Sequence, residues 1–104
     1  MAKSQSQTAR APEGLPLNQT TEVVDELRKA LASTAVAQMK AQHFHWNITG
    51  MSFGALHLLF EEIYKDHFKA VDKLAERLRA LGVDVEGRYA TFLEESEIKE
   101  ANGQ

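Results

Sequence analysis

The feature that most constrains this fold is an apolar stripe. Leu56, Phe60, Ile63, Val71, Leu74, Leu78 and Leu81 recur at helical intervals across residues 52–81, and Gly82 follows the last of them. A stripe this long at three- and four-residue spacing predicts an amphipathic helix and argues against a strand. A glycine just past its end is a natural stop, because it takes up the left-handed backbone that terminates helices without a steric cost. Ser52 offers a capping hydroxyl at the start.

A second helix is expected upstream, over about residues 21–46. Val24, Leu27, Leu31, Ala35, Gln38 and His45 follow helical spacing there. Asn18 to Thr21 supply capping side chains, and Glu22, Asp25 and Glu26 place acid where the helix dipole favours it. Asn47-Ile48-Thr49-Gly50 reads as the turn between the two helices. Its match to a glycosylation sequon is taken as chance, because no apolar leader segment precedes it. Tyr89, Phe92, Leu93 and Ile98 predict a short third helix over about 89–99, and Ala101 to Gln104 reads as a frayed end. No strand is expected. The fold class is therefore all-α: a helical hairpin with a short third helix, forming one domain over 18–104. A two-helix hairpin buries only one side of each helix, so a partner is expected.

Residues 1–17, rich in Ser, Gln and Ala and carrying Pro12, Gly14 and Pro16, read as a disordered arm. The 104 residues contain no cysteine, which excludes disulfide and thiolate chemistry. No run reaches the roughly 18 apolar residues of a membrane span, and a cytoplasmic location is expected. Twelve basic and fifteen acidic residues give a net charge of −3, and the acid is concentrated after residue 83. That is no footprint for nucleic acid, which needs a clustered basic face. Lys3 and Arg10 on the arm are the weak exception, a route to nucleoid association.

The second helix carries a separate polar face. At about 100° per residue, Glu61 lies about 40°, Asp72 about 60° and Glu76 about 100° from His57, away from the apolar stripe. Leu58, Phe68 and Ala75 share that face, which a purely solvated surface would not be expected to hold. His57/Glu61 and Asp72/Glu76 each have the i, i+4 spacing that aims two side chains at one point. Fifteen residues separate His57 from Asp72, a rise of about 22 Å, so one helix cannot bring both pairs to one ion. An antiparallel copy can. A two-fold axis near residues 66–67 sets His57/Glu61 of one chain opposite Asp72/Glu76 of the other and makes two equivalent sites. Imidazole with three carboxylates suits iron or manganese. Carboxylate and histidine ligands on facing helices are the recurrent arrangement of di-iron bundles.

These residues resemble a known family. His45-Trp46-Asn47 through Gly50, Phe53, Leu56-His57, Phe60-Glu61-Glu62-Ile63-Tyr64 and Asp72-Lys73-Leu74-Ala75-Glu76-Arg77 are similar in type and spacing to the Dps proteins, the mini-ferritins named as DNA-binding proteins from starved cells. Thr91 to Glu100 resembles the short helix of that family's mid-chain connection. The resemblance covers about 80 residues of the chain. It implies a ferritin-like hairpin, the first half of a four-helix bundle. It also implies that His45, His57 and Glu61 from one subunit, with Asp72 and Glu76 from its two-fold partner, bind iron as a di-iron site. Trp46 and Tyr64 are implied to lie near that site and to carry oxidising equivalents. The implied activity is ferroxidase: oxidation of Fe²⁺, preferably by hydrogen peroxide, followed by ferric iron storage and protection of DNA from oxidative stress in a twelve-subunit cage. Family members have four long helices, and this sequence ends where the third is expected, which bears on cage assembly and mineral storage. His43 and His67 match no ligand position and are read as packing residues. The competing readings are a non-catalytic helical dimerisation module and a nucleoid-associated protein acting through the arm.

Overall fold

The computed structural model describes residues 17–51 and 53–101, with side chains from Thr20 onward. The expected arm (apart from Leu17), the Ser52 cap and the last three residues of the expected frayed end lie outside the described residues. Three helices follow one another: α1 (Leu17–Asn47), α2 (Phe53–Ala80) and α3 (Tyr89–Glu95). No strand occurs among the described residues. α1 and α2 form an antiparallel hairpin, and α3 packs on α1. The thinnest dimension is 16 Å, little more than one helix of about 10–12 Å. The hairpin is thus a single layer of helices.

The core lies at the end of the hairpin away from the turn. Val24 and Leu31 of α1, Leu78 of α2 and Val83 beyond it are buried, with Leu27, Val71, Leu74, Leu81, Val85 and Phe92 packed around them. The chain turns off α2 as the glycine predicts. Gly82 has φ +89° and its N–H donates to the Arg79 carbonyl (2.9 Å), while Val83 N–H donates to the Leu78 carbonyl (3.3 Å). These two bonds define a Schellman motif, and Leu78 and Val83, both fully buried, supply its apolar contact. At the other end Gly50 (φ +100°) allows the sharp turn between helices. There Phe53 N–H donates to the Gly50 carbonyl (3.1 Å), and Asn47 Nδ2 donates to the His43 carbonyl (2.8 Å).

Two helix boundaries differ from expectation. α1 starts at Leu17 rather than about 21, so Asn18 to Thr21 lie within the helix and Glu22, Asp25 and Glu26 lie beyond its first turn. The reason is burial: Thr20, fully buried, extends the Val24–Leu31 face by one turn, and tertiary packing overrides weak helix propensity. α3 ends at Glu95 rather than about 99. Ser96 stops it by hydrogen bonding its own neighbourhood: its Oγ accepts from Ile98 N–H (2.8 Å) and donates to the Ile98 carbonyl (2.7 Å). The following backbone is tied instead to α1, where Ser33 Oγ accepts from Glu97 N–H (2.9 Å).

Candidate metal centre

The turn end of the hairpin brings together groups from the end of α1 and the start of α2. His45 sits in the last turn of α1 and is buried, at 7% exposure. His57 sits in the second turn of α2, and the two rings stack with centroids 3.7 Å apart. Each ring donates from Nδ1 to the other residue's backbone carbonyl, His45 to His57 O at 2.8 Å and His57 to His45 O at 3.0 Å. A carbonyl can only accept, so each Nδ1 carries the proton. In the neutral ring Nε2 then holds the free lone pair, the tautomer that a metal-ligating histidine needs.

Glu61 lies one turn beyond His57. One ligand atom from each of His45, His57 and Glu61 falls within 4.8 Å of the others. Two imidazoles and a carboxylate converging in this way form a donor set that fits Fe²⁺ and leaves coordination positions open. No other such group of three occurs among the described residues. Lys65 Nζ donates to Glu61 Oε2 at 2.6 Å. This hydrogen bond, with the charge of Lys65, holds the Glu61 carboxyl below its ordinary range and raises the Lys65 ammonium above its own.

The aromatic residues divide between two places. Tyr64 meets the His45 ring edge-on at 5.2 Å, and Phe53 stacks on His57 at 4.9 Å. Trp46, 63% exposed, lines an open groove of about 500 Å³ with Met39, Phe68, Val71, Phe92 and Leu93. His43 lines the same groove. His67 Nδ1 donates to the Ile63 carbonyl one turn back (2.9 Å).

Asp72 and Glu76 stand farther along α2, exposed and outside the three-residue group. The face they share with His57 and Glu61 also exposes Leu58 and Phe68, at 60% and 52%. Lys65 was not singled out in the sequence, and Phe53 was named there only as a motif residue, with no role at the site. Their spacing was the available signal, since each stands four residues from a candidate ligand on the same helix.

The chain belongs to the ferritin-like family: the ferritin-like domain matches residues 24–103. Dps proteins are among those it resembles, as its motifs indicated. It is 40% identical over 77 residues to the DNA protection during starvation protein of Brevibacillus brevis, a match covering 74% of this chain and 52% of that one. Dps from Staphylococcus aureus superposes with a TM-score of 0.78 at 40% identity, over 81% of this chain and 56% of that one. A Dps protein from Vibrio cholerae, described as a member of a broad superfamily of ferritin-like diiron-carboxylate proteins, superposes with a TM-score of 0.82 at 31% identity, over 99% and 63%. The chain spans about half the length of the curated relatives it matches.

Proposed function

We propose that this chain is a Dps-like ferroxidase whose iron sites are shared between two copies related by a two-fold axis. His45, His57 and Glu61 of one subunit form one half of each site, and Asp72 and Glu76 of the partner subunit form the other. The observation that carries this reading is the His45–His57 pair, held at both Nδ1 atoms by backbone carbonyls, with one ligand atom of each ring and of Glu61 within 4.8 Å of the others. The diiron-carboxylate relative supports iron as the metal.

Iron is the substrate here. Two Fe²⁺ ions each lose one electron. Hydrogen peroxide accepts both, its O–O bond breaks, and with two protons it leaves as two waters. The protein's part is to hold the ions close by hard oxygen and imidazole donors and to keep the donors in place. Tyr64, against the His45 ring, is placed to take up a stray oxidising equivalent; Trp46, which lines the open groove rather than touching the two histidine rings, has the same proposed role. Ferric storage, protection against oxidative stress and a cytoplasmic location belong to the same proposal, with a larger cage as its assembled form. The test is ferric absorbance after Fe²⁺ and peroxide are mixed with the protein. A rapid rise that His57→Ala with Asp72→Ala abolishes is expected, and equal rates in wild type and double variant would exclude the reading.

A specific observation favours a second reading. Leu58, Phe68 and Trp46 are exposed, which fits a helical module whose role is association alone. It predicts an oligomer indifferent to iron. DNA contact through Lys3 and Arg10 is a third proposal, drawn from the names of the relatives. Gel retardation that survives deletion of residues 1–17 would exclude that route.

A further inference from the structure

Lys65 stands one turn beyond Glu61, and its ammonium sits on the carboxylate oxygen at 2.6 Å. On the helix wheel it lies about 80° from His57, inside the arc that holds Glu61, Asp72 and Glu76. An ammonium therefore occupies the middle of a face whose other polar groups are suited to hold a cation. Lys65 is 61% exposed and its four-carbon stem is free to swing into water, whereas Glu61 is 30% exposed and sits against the two histidines. Lys65 and a divalent ion draw on the same carboxylate, and both carry positive charge.

We propose that Lys65 is a built-in competitor for the Glu61 carboxylate, pairing with it until a divalent cation displaces the ammonium. This rests on reading His45, His57 and Glu61 as a metal half-site. Without metal, Lys65 keeps the carboxylate paired and positioned beside the histidines. On metal binding the ammonium gives up the carboxylate, so Lys65 sets how weakly the site holds its first ion. A lysine serving only as a surface helix pair with Glu61 would leave metal affinity unchanged.

The test is Co²⁺ titration of the 104-residue chain, followed by the visible absorbance of the bound ion. Cobalt fits the same donors and reports binding rather than turnover. Lys65→Met keeps helix propensity and removes the charge. It is expected to bind Co²⁺ about three- to tenfold more tightly, the order expected when one exposed charge pair and its repulsion toward the ion are removed. Lys65→Arg, which restores a cation beside Glu61, is expected to return the affinity to the wild-type value. Glu61→Gln is expected to weaken binding. If Lys65→Met binds no more tightly while Glu61→Gln binds more weakly, the competitor role is overturned and the half-site stands. If Glu61→Gln binds as wild type, the half-site and the competitor role both fall. Far-UV circular dichroism of each metal-free variant checks that the helices are retained.

Discussion

His45 and His57 fasten the two helices to each other by exchanging the same bond: each ring's Nδ1–H meets the other residue's backbone carbonyl, at 2.8 and 3.0 Å. The link spans the turn between α1 and α2, so the geometry of the two rings is set by the hairpin itself. A site held in this way is organised before an ion arrives, which saves the entropy of collecting its ligands.

Removing either ring therefore has two effects. His57→Ala takes away one proposed metal donor and one bond across the turn. Co²⁺ affinity is expected to fall at least about tenfold, the size seen when a ligand's immediate support is lost. Metal-free stability is expected to fall by about 1 kcal/mol, the net worth of one such hydrogen bond. Titration and urea unfolding in chelator measure the two separately.

The Glu61–Lys65 pair gives a signed pH dependence. The Lys65 hydrogen bond and charge lower the folded-state pKa of Glu61 below its unfolded value. The stabilisation is thus fully present above the ordinary carboxylate range, about pH 4.3, and is lost as pH falls through the lowered folded value. Lys65 is raised, so the same contribution persists below the ordinary lysine range and is lost as pH rises through its folded value. Wild type is expected to melt slightly above Lys65→Met at neutral pH in chelator, with the difference vanishing in strong acid. A difference that grows on acidification contradicts this assignment.

Leu58 and Phe68 lie on the face that the two-fold pairing is proposed to cover. Phe68→Lys is expected to reduce the native mass measured by light scattering, with helix content unchanged. Ferroxidation is expected to fall at the same time, although His45, His57 and Glu61 are untouched.

The core and the helix stop are separable from all of this. Leu78→Ala is expected to cost about 2–5 kcal/mol, because it empties a fully buried position. Gly82→Ala is expected to cost about 1–2 kcal/mol, because φ +89° is strained for a residue with a Cβ. Chemical denaturation measures both.

The helices were legible because the signals that set them are local. The Leu56–Leu81 stripe and Gly82 mark α2 and its stop, and Gly50 the turn. The boundaries that differed depend on what lies elsewhere in the fold. Thr20 reads as a cap until its burial against the hairpin is known, and Ile98 reads as helical until Ser96 and Ser33 claim the backbone around it. The candidate ligands on α2 were visible as i, i+4 pairs. The approach of His45 to His57 was not visible in spacing, because it depends on how the turn folds the two helices together. The motif resemblance supplied His45. Lys65 was visible as a spacing but not as a contact, since a lysine four residues from a glutamate is usually a surface pair.

The central claim is that one site is built from two chains, and mixing two defective chains tests it most directly. His57→Ala damages one half-site and Asp72→Ala the other, and each variant alone is expected to be inactive. Refolded together in equal amounts, half the pairs are mixed, and each mixed pair regains one intact site of two. Fe²⁺ oxidation with peroxide should then recover to about a quarter of the wild-type rate, as an isologous pair requires. A mixture as inactive as its components, with mixed pairs demonstrably formed, would contradict the shared site.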